Sequence, residues 1–183
     1  MSNASGSVPR RPLLAVSPAE ASEEPLSFDD FYRREHRHVL GLAFVLTGNQ
    51  ATAEDVAQDA FTAAFRNWRS VAAYGSPGAW VRRVVCNRAA SVLRRRMHEA
   101  KALMRLARRA TTAIDLEEGD EAFWQAVRRL PPRQAQAVAL YYLDDYSVRQ
   151  VAAVLECSEG TVKTHLSRAR AAVARDLRLE DSP

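Results

Sequence analysis

Apolar residues along this chain recur at three- and four-residue spacings and never alternate with polar ones for the length of a strand. That periodicity predicts an all-α fold. The clearest pattern is residues 146–177, YSVRQVAAVLECSEGTVKTHLSRARAAVARDL, which reads as two helices joined by a tight turn. Ser147 and Gln150 have the spacing of a capping box, in which a hydroxyl and an amide satisfy orphan N–H groups at a helix start. Val148, Val151, Ala152 and Leu155 then share one face. Residues 156–158 break the pattern. Ser158 is placed to cap a second helix, and Glu159 sets negative charge at the positive end of its dipole. Val162, Leu166, Ala169, Val173 and Leu177 form one apolar stripe in that second helix. Opposite the stripe lie Thr161, Thr164, Ser167 and Arg168, with Lys163 and Arg170 on the flanks. Hydrogen-bonding and basic groups turned outward on the second helix are what a helix-turn-helix presents to the major groove. Two antiparallel helices with a solvated basic face would give the same pattern.

Upstream, order is expected to begin near Ser27, a candidate N-cap before Phe28, Phe31 and Tyr32. The helix it opens carries Val39, Leu40, Leu42, Ala43, Val45 and Leu46, and Gly48 is placed to end it. Residues 53–68, AEDVAQDAFTAAFRNW, form an amphipathic helix with Val56, Ala57, Ala60, Phe61, Ala64, Phe65 and Trp68 as its stripe. Asp55, Gln58, Asp59 and Thr62 make its compact, mainly acidic outer face, which fits either solvent or a basic partner. Residues 69–77 read as a loop with Gly75 and Pro77 as breakers. A long helix follows with Trp80, Val81, Val84, Val85, Ala89, Val92 and Leu93 at helical spacing. Its outer face is assigned Arg82, Arg83, Asn87, Arg88, Arg94, Arg95 and Arg96. Guanidiniums pair with phosphate, an amide reads base edges and an aromatic stacks on an exposed base, so this face suits nucleic acid. Trp80 fits the core equally well. Beyond an acidic linker, Asp120 is a candidate cap for a helix bearing Phe123, Trp124, Val127 and Leu130. Pro131 and Pro132 end it, and a further helix runs over residues 133–143.

Charge sharpens this picture. The 183-residue chain has a net charge of only +4, but its distribution is uneven. Residues 66–110 hold twelve Lys or Arg and one acid, Glu99, whereas residues 111–123 hold five acids and no base. The division suggests a polyanion-binding surface followed by an acidic tether. Residues 1–26, rich in Ser, Pro and Glu, read as a disordered leader. Cys86 and Cys157 lie far apart in apolar-patterned segments and are expected as reduced thiols, as in a cytoplasmic protein. His36, His38, His98 and His165 form no zinc-ligand spacing with them, so neither a metal nor another cofactor is expected. No stretch is long and apolar enough to insert into a membrane.

Taken in order, AEDVAQDAFTAAFRNW, PGAWVRRVVCNRAASVLRRR and LPPRQAQAVALYYLDDYSVRQVAAVLECSEGTVKTHLSRARAAV resemble bacterial extracytoplasmic-function (ECF) sigma factors of the sigma-70 class. The LTGN and LPPRQ segments are most similar to actinobacterial-type short members. The resemblance covers about residues 27–177. It implies sigma region 2 over residues 27–105, a linker over 106–119 and sigma region 4 over 120–179. Region 2 would dock on the clamp coiled coil of core RNA polymerase through Asp55, Gln58, Asp59 and Thr62. It would read and help melt the −10 element with Trp80, Arg82, Arg83, Asn87 and Arg88. The loop over residues 69–77 would capture a flipped base, at a cost of a few kcal/mol for unstacking it. Region 4 would contact the polymerase flap and read the −35 element with Thr161, Lys163, Thr164, Ser167 and Arg168. An anti-sigma factor is a common partner in the family. Arg82 departs from the family pattern, which often has an aromatic or apolar residue there.

The implied function is a transcription initiation factor with no catalytic residues. A stand-alone LuxR-type helix-turn-helix regulator shares the recognition-helix pattern, but the front half lacks the β/α alternation of a receiver domain. A metal-dependent nuclease would need clustered acids beside the basic face, and here the acids lie on another helix and the linker.

Overall fold

The structure, a computed structural model, describes residues 26–103 and 118–180. Among these residues every regular element is a helix. The order is α1 (Phe28–Thr47), α2 (Gln50–Arg66), α3 (Trp68–Ala72), α4 (Pro77–Leu103), α5 (Glu118–Arg128), α6 (Pro132–Tyr142), α7 (Val148–Leu155) and α8 (Glu159–Glu180). Residues 1–25 of the expected leader and 106–117 of the expected linker lie outside the described residues, and the last two residues of that linker, 118 and 119, belong to α5.

Local chemistry sets most boundaries. The Ser27 hydroxyl accepts from the Asp30 amide at 3.2 Å and opens α1. Gly48 closes α1 in the left-handed region at φ 66°, and a Cβ there would meet Arg128 Cδ at 2.8 Å. The left-handed backbone conformation favours glycine, and a larger residue would also have to displace the Arg128 side chain of α5. Asn49 Oδ1 accepts from the Thr52 amide at 3.0 Å, so α2 starts three residues before the position its stripe suggests. Its far end also differs from expectation. Trp68 opens the separate short helix α3 inside the expected loop, and its indole donates to the Leu26 carbonyl at 3.2 Å. Asp120 lies within α5 rather than capping it, because that helix is already formed at Glu118. Pro132 occupies the first turn of α6, where its missing N–H costs nothing. The capping box at Ser147 and Gln150 is complete.

Helices α1, α2 and α4 pack together in the front half, and α6, α7 and α8 form the helix-turn-helix with α5 against α8. The two halves do not stand apart. Helix α1 packs on α5 and α6, and α4 packs on α7, so the buried residues of both halves form one continuous hydrophobic cluster. Phe31, Leu42, Val81 and Val85 from the front share it with Val138, Leu140, Val151 and Val162 from the back.

Candidate polymerase and nucleic-acid interface

Helix α8 turns its apolar stripe inward. Val162, Leu166, Ala169 and Val173 are buried, while Thr161, Lys163, Thr164, Ser167 and Arg168 are all exposed. Ser158 Oγ accepts from the Thr161 amide at 3.1 Å and caps the helix. Thr164 Oγ1 donates to the Gly160 carbonyl at 2.9 Å, which holds that hydroxyl close to the helix backbone. On the flank, Arg170 Nε donates to the Tyr142 hydroxyl at 2.9 Å. The helix therefore presents a row of hydroxyls, of which Thr164 is left to accept, with Lys163 and Arg168 as its cationic donors. Such a row suits a groove that displays acceptors.

Helix α2 exposes Asp55, Gln58, Asp59 and Thr62 together, as its amphipathic pattern requires. Phe65, expected in the buried stripe, is instead 63% exposed. It packs edge-on against Phe28 with ring centroids 5.0 Å apart. With Tyr32, His36 and Phe61 these rings line an apolar groove of about 640 Å³ that also touches Gln58 and Thr62. The acidic face thus continues into an aromatic one. The signal available in the sequence was the density of rings, Phe28, Phe31, Tyr32, Phe61 and Phe65, which exceeds what two helices can bury between them.

Helix α4 departs furthest from expectation. Asn87 and Arg88 are exposed, and Arg88 pairs with Asp59 of α2 at 3.3 Å. Both side chains of that pair are more than half exposed, so it contributes little to stability. Trp80 is half-buried against the core. Arg82, assigned above to the outer face, is only 4% exposed. Its Nε and Nη2 donate to the two carboxylate oxygens of Asp144, both at 3.0 Å, and Nη1 donates to Glu35 Oε2 at 2.7 Å. The guanidinium lies 5.1 Å from the Tyr146 ring centroid. The correction has a physical reason. Helix α4 is covered on this side by α1 and by the turn between α6 and α7, and those two segments supply the carboxylates. Gly78 leaves the room, since a Cβ there would sit 3.1 Å from Arg82 Nη1 and 3.3 Å from Glu35 Oε2.

Arg83 faces the same seam. Its Nη2 donates to the Ala153 carbonyl at 2.7 Å, Nε to the Val154 carbonyl at 3.2 Å and Nη1 to Glu156 at 2.8 Å. A cation on the last carbonyls of α7 also complements the negative end of that helix. Deeper in, Gln136 Nε2 of α6 donates to the Cys86 carbonyl at 2.8 Å. Burial alone would lower the pKa of Arg82, but the hydrogen bonds and charge of Asp144, and then the Glu35 hydrogen bond, outweigh it and raise it. Burial pushes Glu35 up, and Arg82 with Arg34 more than reverses that, leaving its pKa below the usual carboxylate value. Burial pushes Asp144 up, opposed by the bidentate guanidinium.

Cys86 and Cys157 are free thiols, the first buried and the second half-buried. Among the described residues no cluster of His, Cys, Asp or Glu suits a metal ion, and no helix is long and apolar enough to cross a membrane.

Family models match both halves. Sigma-70 region 2 matches residues 31–99, and sigma-70 region 4 matches residues 120–173. The chain is 32% identical over 158 residues to the ECF RNA polymerase sigma factor SigM of Mycobacterium tuberculosis, covering 86% of this chain and 80% of that one. It is 28% identical over 162 residues to the RNA polymerase sigma-E factor of Streptomyces avermitilis, covering 88% and 90%. Among solved structures, the fold resembles the sigma factor RpoE of Bartonella quintana in complex with the anti-sigma factor NepR. That likeness has a TM-score of 0.68 at 24% identity and covers 84% of this chain and 99% of that one. CnrH in complex with the cytosolic domain of CnrY gives 0.59 at 22% identity, covering 85% and 89%.

Proposed function

The chain belongs to the sigma-70 family as an ECF RNA polymerase sigma factor acting in transcription initiation, and from that premise we propose how its surfaces divide the work. Helix α2 docks on core polymerase through Asp55, Gln58, Asp59 and Thr62. Four polar groups, two of them acidic and all exposed on one face, suit a basic coiled coil, and the aromatic groove beside them extends the contact. Helix α8 reads the −35 element with Thr161, Lys163, Thr164, Ser167 and Arg168. Helix α4 meets the −10 element with Trp80, Arg83, Asn87 and Arg88 once it is uncovered. Residues 27–105 and 120–179 then act as regions 2 and 4. One solved structure of this fold is a sigma factor in complex with an anti-sigma factor, and we extend a protein regulator of that kind to this chain.

The observation that carries this reading is the alignment of two exposed faces, on α2 and α8, with the two matched family segments. A LuxR-type regulator would explain α8 alone and leave the match over residues 31–99 without a role. The test is run-off transcription with purified bacterial core polymerase on a promoter pool, with and without the protein. Transcripts that require the protein are expected, and Asp55→Lys combined with Asp59→Lys should abolish them by weakening core binding. Tight binding of the protein alone to a palindrome, with no core binding, would overturn the proposal.

A further inference from the structure

We infer that Arg82 is the pin of an intramolecular latch that holds regions 2 and 4 together and keeps α4 from promoter DNA, and that it is not itself a DNA-contacting residue. The inference rests on the sigma-factor reading for its consequence, though not for its geometry.

The latch joins segments distant in sequence. Glu35 comes from α1, Arg82 from α4 and Asp144 from the turn after α6, so the pin is held from its own half and from the other. Charge balances locally, since Arg34 also donates to Glu35, at 3.2 Å, giving two guanidiniums for two carboxylates. The Asp144 side chain is 0% exposed and that of Arg82 5%, so neither charge tolerates losing the other. A buried pair of this kind adds little net stability over an apolar contact, but it strongly penalises any arrangement that keeps one member buried alone. It therefore specifies one closed geometry and leaves no half-open one. Arg83 on the α7 carbonyls and Gln136 on the Cys86 carbonyl extend the same seam.

Closure has a consequence for DNA. The −10 and −35 elements stand about 25 base pairs apart, which at ~3.4 Å per step is on the order of 85 Å. In the closed chain Arg83 is bonded to α7, the helix immediately before the recognition helix. One molecule in this form cannot reach both elements, and two of the five residues first assigned to −10 reading, Arg82 and Arg83, are engaged in the seam. Docking on polymerase must separate α4 from α7 before both sites are read. Asp144 and Glu156 give up no DNA contact on opening, whereas Arg83 is released to make one.

The test is solvent access to Cys86, whose thiol is buried beside the seam charges of Asp144, Arg133 and Arg82. In the full chain carrying Cys157→Ser, alkylation of Cys86 is followed together with the radius of gyration from X-ray scattering. Asp144→Asn breaks the pin without touching a DNA-contacting group. Alkylation about a hundredfold faster and a larger radius, with helicity retained, are expected. An unchanged rate and radius in a folded variant overturn the latch. Should Asp144→Asn fail to fold, Glu35→Gln takes its place by removing the charge of the pin's second carboxylate, with a rise of about fivefold expected and no rise overturning the inference. Run-off transcription separates the two readings. Opening of the Asp144→Asn variant, together with a wild-type chain that never supports transcription, keeps the latch and loses the sigma reading. In the Asp144→Asn background, adding Arg82→Gln should leave open-complex formation at saturating core polymerase within about twofold. A loss of about tenfold would return Arg82 to the DNA-contacting set.

Discussion

Helices α4 and α8 carry closely similar patterns, an apolar stripe with arginines and an amide or hydroxyls opposite, and the fold treats them differently. On α8 the polar face meets solvent, with Lys163 and Arg168 exposed. On α4 the face is split. Asn87 and Arg88 point outward, while Arg82 is buried and Arg83 is spent on α7. On α4 itself only Gly78 contributes, by leaving room for the ion pair. The carboxylates that claim Arg82 lie 47 and 62 residues away. A basic face is a nucleic-acid site only where no other part of the chain answers its charge, and that answer is a property of the fold.

The largest expected difference between the helices is in stability. Arg82→Ala leaves Asp144 as a buried carboxylate without its ion-pair partner and leaves Glu35 with Arg34 alone, a loss of about 3–5 kcal/mol. Arg168→Ala removes an exposed side chain and should change stability by under about 0.5 kcal/mol. Urea unfolding of the two variants beside the wild type measures both. Equal midpoints would mean that Arg82 is as free as Arg168 in solution.

The next effect runs the other way. Arg168→Ala should cost about 1–3 kcal/mol in −35 discrimination if it reads a base, measured as the ratio of transcription from matched and mismatched −35 sequences by the polymerase-bound protein. Loss of output with an unchanged ratio would assign Arg168 to phosphate instead.

The asymmetry also marks how far the sequence could be read. Helix starts at Ser27, Ser147 and Ser158 and the stop at Gly48 were legible because capping is decided within three or four residues. The inward stripe and outward donors of α8 were legible because a helical period sorts them. The Asn49 cap and the short helix α3 fell inside segments whose turn residues suggested loops, since local hydrogen bonds there outweigh composition. The seam was not legible at all. Periodicity places Val81, Val85 and Ala89 on one side of α4, and Arg82 sits beside that stripe where only the packing of α1 and the α6–α7 turn decides its exposure. The one sequence signal was its departure from the family pattern, a charge where an aromatic or apolar side chain often stands. The acidic linker announced two domains but carried no signal of how they pack, and the continuity of the buried cluster depends on helices distant in sequence, α1 with α6 and α4 with α7.

A third difference concerns pH. Cys86 lies on the buried side of α4, and burial pushes its thiol up to about 12 from a usual 9.0. The folded chain therefore holds this proton more firmly than the unfolded chain does. Its contribution to stability is complete below about pH 9 and is lost as pH rises from there through about 12. Urea midpoints taken across that range should fall, and Cys86→Ala should flatten the fall. A slope unchanged by the substitution would assign the alkaline loss to other groups.

The smallest effect tests the rim of the seam, where Glu156 serves two ends. It occupies the left-handed region at φ 54° as the C-cap of α7, a conformation that costs a residue with a Cβ roughly 1–2 kcal/mol. Its carboxylate pairs with Arg83 at 2.8 Å but is 67% exposed, so the pair contributes at most about 1 kcal/mol. Glu156→Gly removes both. Backbone strain is relieved, glycine's larger unfolded-state entropy takes back part of that gain, and global stability should change by less than about 1 kcal/mol. The seam responds differently. Arg83 keeps its bonds to the Ala153 and Val154 carbonyls but loses the Glu156 carboxylate, so Cys86 alkylation in the Cys157→Ser chain should rise by about two to five times. A thermal midpoint that holds while Cys86 opens would show that Glu156 is retained for closure and not for the turn. A midpoint that rises with Cys86 still protected would show that the two carbonyls alone secure Arg83 and that α4 is held by Arg82.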